Sequence, residues 1–180
     1  SLSGKTVDLS GTEVNAIEVL SGGDVSLAGP LLTLTNSTLE ATGKLLEIEN
    51  GKLTSTSTSP LFTFNPSTIT VDDALIALNG GTLTLAGPLL KDTNGTLEGE
   101  DEFLRMKNGS TLKSTGTGAL VQLSGTTVDF TAALSMKDST MTLAGPLVTA
   151  TGVTGSDFGD SSAPIFLIDS KSTLSSTSSD

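Results

Sequence analysis

Leu27–Leu32 reads LAGPLL, Leu85–Leu90 reads LAGPLL again, and Leu143–Val148 reads LAGPLV, the same 58-residue step taken twice. The likeness runs past the hexapeptide. TNSTLE (Thr35–Glu40) is answered by TNGTLE (Thr93–Glu98), and LTSTST from Leu53 by LKSTGT from Leu112. Self-similarity at a fixed period marks a chain built from stacked copies of one small structural unit.

Each 58-residue block divides again into units of roughly 14 to 17 residues, each the size of one supersecondary piece. They read IEVLSGGDVSLAGP from Ile17, LLTLTNSTLEATGK from Leu31, LLEIENGKLTSTSTSP from Leu45 and LFTFNPSTITVDDA from Leu61. The pattern continues to LSMKDSTMTLAGP from Leu134 and degenerates from Leu147 and Ile165. Within a unit the order is apolar-x-apolar, a turn, then apolar-x-apolar. That period of two is the strand signal. Leu34, Ile48, Phe64, Leu78, Met106 and Leu123 form one apolar column, and Leu39, Leu53, Ile69, Leu83, Leu97, Leu112 and Val128 a second. Between them lie Asn36, Asn50, Asn79, Asn94 and Asn108, each followed by Gly or Ser, residue types that accept the positive φ of a tight corner. Pro30, Pro60, Pro88, Pro146 and Pro164 close units and exclude helix there.

Two strands and two corners, repeated, could zigzag as hairpins or coil as a solenoid. Coiling wins, because it stacks identical positions so that side-chain columns reinforce at every turn. The expected fold is all-β: a single-stranded parallel β-helix of about twelve stacked units. It forms one continuous solenoid over residues 1–180, with 58-residue repeats at 27–84 and 85–142, a partial one at 143–180, and the end of a preceding repeat at 1–26. One unit per coil gives a perimeter of roughly 46 Å, a thin coil that suits the sparse aromatics; two units per coil would double it. The chain starts in mid-pattern and stops in a Ser/Thr run, and so reads as a piece of something longer or a processed product.

Composition narrows the function classes. Nine basic residues against twenty acidic ones leave a net charge of −11. That opposes nucleic-acid binding, which relies on Lys and Arg neutralising phosphates, and adhesion to anionic membranes. No apolar run is long enough to span a bilayer as a helix, so no membrane insertion is expected. Cys and His are absent and Arg105 is the single arginine. Ser-His-Asp triads, thiol nucleophiles and thiolate metal sites are excluded, and the chain is expected to be neither an enzyme nor the holder of a cofactor.

Units of the form L-x-L-x-N-G-T-L-x-L with Ser/Thr filler resemble the stalks of bacterial surface β-helices, namely filamentous haemagglutinin-like exoproteins of two-partner secretion and autotransporter passengers. The resemblance runs from Ser1 to about Leu174. It implies a right-handed parallel helix, secretion through an outer membrane and an adhesive or surface-fibre role.

Four features bear on function. The acidic run Glu98, Glu100, Asp101 and Glu102, with Asp72 and Asp73 at a comparable corner, is a weak candidate for Ca²⁺, which takes oxygen ligands; a solvated charged corner is the plainer reading. Threonines flank the second apolar column: Thr38, Thr68, Thr82, Thr96 and Thr127 before it, and Thr54, Thr70, Thr84 and Thr142 after it. A flat Thr-x-Thr array would suit ice, but Asp24, Glu40, Lys52, Glu98, Lys113 and Asp129 interrupt it, and Thr is in any case a good exposed-strand residue. The sequons at Asn36, Asn94 and Asn108 are accounted for by corner chemistry. Asp92 stands in the apolar column, where an unpaired carboxylate would be costly, so the unit is expected to bulge or fray there.

The functional expectation is an extracellular or cell-surface structural or adhesive segment of a larger secreted protein. Its partners would be a host or cell-surface receptor, or itself, by end-to-end or lateral assembly. A self-assembling head-to-tail fibre subunit is the alternative, and an ice-binding protein the less favoured third.

Overall fold

A computed structural model describes residues 1–158 and 164–177, so the last part of the third block lies partly outside the described residues. The chain forms a parallel β-solenoid, with no helix among the described residues. Its strands assemble into one ten-stranded sheet (sheet I) and two six-stranded sheets (II and III), one strand of II and III per turn, about six turns in all. One full turn shows the plan. Phe62–Val71 crosses sheet I with a corner at its middle, Ile76–Asn79 adds to sheet II, Thr82–Leu85 adds to sheet III, and Leu90–Thr93 returns to sheet I beside Phe62–Phe64.

The coil is therefore twice the expected size. Leu34 faces Phe64, Phe64 faces Asp92, Asp92 faces Leu123 and Leu123 faces Ala150, so the chain regains the same angular position only after two units. Six coils replace the expected twelve because one unit does not close. A unit such as Leu31–Lys44 supplies only sheet I, and the next, from Leu45, supplies sheets II and III. Opposed sheets stand ~10 Å apart. Two short strands and their corners cannot ring leucines projecting from both sides, whereas four such segments enclose them.

Each expected apolar column consequently divides in two. Leu34, Phe64, Asp92 and Leu123 stack in sheet I, while Ile48, Leu78, Met106 and Met136 stack in sheet II. Likewise Leu39, Ile69, Leu97 and Val128 belong to sheet I, and Leu53, Leu83, Leu112 and Met141 to sheet III. The division leaves their direction unchanged. Leu34, Ile48, Phe64, Leu78, Leu39, Leu53, Ile69, Leu83 and Leu97 all point inward, none more than 4% exposed, and join one continuous core.

The corners follow the expected chemistry at four of five asparagines. Asn36, Asn50, Asn94 and Asn108 have φ between 49° and 60°. Asn79 departs from this: it ends the strand Ile76–Asn79, and Gly80 takes the positive φ of 66°. That positive φ is what favours glycine at Gly80, since the atom a Cβ would meet first, Asn50 Oδ1, is the free end of a side chain.

Candidate functional surfaces

The outward side of sheet I carries an unbroken threonine ladder. Thr6, Thr38, Thr68, Thr96, Thr127 and Thr154 pair in register across six turns. Further along the same strands runs an acidic column, Asp8, Glu40, Thr70, Glu98 and Asp129. Carboxylates facing each other on adjacent strands repel, so this half of sheet I is strongly anionic.

Sheet III presents different chemistry. Its two outward columns read Asp24, Lys52, Thr82, Thr111, Thr140, Thr173 and Ser26, Thr54, Thr84, Lys113, Thr142, Ser175. Asp24 and Lys52 pair with each other at 3.4 Å. From the Thr82 rung onward Lys113 is the one charged side chain in these columns. The threonines that the sequence placed in two columns thus lie on two faces; of the interrupting charges Glu40, Glu98 and Asp129 go to sheet I, while Asp24, Lys52 and Lys113 stay on sheet III.

At the corner joining sheets I and II, polar side chains link four successive turns. Asn15 Nδ2 donates to Glu18 Oε1 (2.8 Å) and Glu47 Oε2 (2.7 Å), bridging two carboxylates that would otherwise stack unrelieved. Its Oδ1 accepts from the Lys44 backbone N–H. Lys44 Nζ reaches Glu47 at 3.5 Å and Asp73 at 2.8 Å. Arg105 then binds Asp73 (2.8 Å), Asp101 (2.6 Å) and Glu102 (2.7 Å). Burial alone would raise the Asp73 carboxyl, but the hydrogen bond from Lys44, the Ala74 N–H and the Arg105 charge outweigh it and hold Asp73 at about 2. Burial would lower Arg105 and Lys44, yet their carboxylate partners raise both.

The acidic run does not come together as an ion cage. Asp101 and Glu102 are taken by Arg105, Glu98 lies in the outward column of sheet I between Thr70 and Asp129, and Glu100 is exposed. Among the described residues no group of three or more carboxylates is placed to hold a metal ion. The sequon asparagines Asn36, Asn94 and Asn108 sit exposed on corners.

Asp92 corrects the expectation most sharply. The strand neither bulges nor frays: Leu90, Lys91 and Asp92 stay in register with Phe62, Thr63 and Phe64, and Asp92 is 0% exposed. It survives burial because it has donors. Asp92 Oδ2 accepts from Thr126 Oγ1 and from the Gly95 N–H at 3.1 Å, while Oδ1 has no partner. In the two preceding turns the inward corner position holds Ser37 and Ser67, and the Ser37 N–H donates to Ser67 Oγ. Glycine, Gly95, replaces that serine in the turn of Asp92, and the Asp92 carboxyl takes up the vacated volume.

The arrangement defines a parallel β-solenoid with ordered outward columns on sheets I and III over a core of aliphatic and phenylalanine side chains. No family model matches the chain, and no curated protein or solved structure is significantly similar to it.

Proposed function

We propose that the chain is an extracellular or cell-surface structural and adhesive segment of a larger secreted protein, engaging a surface receptor or further copies of itself. The observation that carries the reading is the combination of a continuous interior stack with faces whose side chains recur rung by rung. Apart from Asp92 and a few hydroxyls the interior is apolar, and the remaining charges of the described residues lie on the outward sides and corners. An acidic surface also keeps a repeat protein soluble. Antibody labelling of intact cells that make the protein tests this. Label should appear without permeabilisation and disappear after external protease; label seen only in lysed cells contradicts the reading.

The sorting of side chains between faces favours a second reading, in which sheet III binds ice. Four successive rungs offer Thr82 and Thr84, Thr111 and Lys113, Thr140 and Thr142, then Thr173 and Ser175. Rungs ~4.8 Å apart and same-face neighbours roughly 6.6 Å apart give a grid of methyls and hydroxyls broken once, at Lys113. Microscopy of ice grown in dilute protein decides it. Faceted crystals that turn to rounded discs with Thr140→Lys support this reading, and rounded discs with the unaltered protein reject it.

A further inference from the structure

We propose that Asp92 makes the solenoid an acid-stabilised structure, in which ionisation of this one buried carboxyl loosens the stack between Phe64 and Leu123 as pH rises. This goes beyond the surface role and does not depend on it.

Asp92 is the one ionisable side chain among the buried described residues. The groups packed around it from every side are uncharged: Phe62 and Phe64 on one flanking strand, Val121 and Leu123 on the other, and Thr126 and Gly95 at the corner. Lys91, its neighbour in sequence, points outward. No cation therefore offsets a negative charge there. Hydrogen bonds reach Oδ2 from Thr126 and Gly95 and none reaches Oδ1, so an ionised carboxylate would leave one buried oxygen without a donor and with no cation beside it. Burial correspondingly raises this carboxyl above its ordinary value, against the opposing pull of Thr126, Gly95 and the Thr93 N–H.

The linkage follows. The folded chain holds this proton more tightly than the unfolded chain does, so the stabilising contribution is complete below the unfolded value of 3.8 and is lost as pH climbs through the raised folded value. Asp73, held low by its cations, adds a pH dependence of opposite sign confined to the acid range, which a variant at Asp92 leaves in place.

The test compares urea unfolding of the unaltered protein and Asp92→Asn from pH 5 to pH 8.5. The midpoint of the unaltered protein should fall with rising pH, and the unfolding constant of Asp92→Asn should change severalfold less over the same range. Equal slopes overturn the proposal. Because the variant could fail to fold, carbon-detected NMR on the unaltered protein gives an independent answer. The Asp92 carboxyl carbon should titrate well above the ordinary aspartate value of 3.8; titration at or below that value overturns the proposal.

Discussion

A Cβ placed on Gly95 would lie 2.2 Å from Asp92 Oδ1 and 2.7 Å from the Ser67 carbonyl oxygen. The two residues therefore determine each other: a carboxyl at 92 requires glycine at 95, as Leu34 goes with Ser37 and Phe64 with Ser67 in earlier turns. Gly95→Ser alone overpacks the corner and should cost about 1–3 kcal/mol. Asp92→Leu alone strands the Gly95 N–H and the Thr126 hydroxyl, with a cost of similar size for an unmade hydrogen bond. Together the substitutions restore the pattern of the two preceding turns, and the pair should be more stable than either single variant in urea. Additive losses would show that the sites are not coupled. Half of this was legible in the sequence. Asp92 is visibly out of place in an apolar column, but its donor Thr126 lies 34 positions away, beyond the reach of any local pattern.

At the scale of elements, the corner between sheets I and II is held by ions and the interior by leucines. Asp73, at about 2, lies below its unfolded value of 3.8, so its contribution to stability is present above 3.8 and lost as pH falls through about 2. Asp73→Asn should be less stable than the unaltered protein at pH 6, with the gap closing on titration to pH 2.5. A thermal-unfolding series checks it, and a gap constant with pH contradicts the account. The strands themselves were readable, because period-two alternation fixes which side chains point inward whatever the coil size. The ion ladder was not readable. Lys44, Asp73 and Arg105 sit in three different units, and their contact depends on how much chain closes one turn. For the same reason the threonines of sheets I and III fall into common columns when only the sequence is read.

For the whole molecule, everything outward depends on the length of chain in each turn. A signal for it was present: Pro30, Pro60 and Pro88 close alternate units only, marking the corner between sheets III and I once per turn. The two kinds of unit are alike enough in their apolar pattern to hide that one builds a single sheet and the other builds two. With two units in each turn, Thr6 and Thr127 stand four rungs apart on sheet I. The chain has no native cysteine, so spin labels placed through Thr6→Cys and Thr127→Cys report that separation without interference. Pulsed electron resonance should give a distance of ~19 Å, four strand spacings of ~4.8 Å, before allowance for the label tethers. A value of ~38 Å, eight spacings, would mean that each single unit closes its own coil, and would contradict the account.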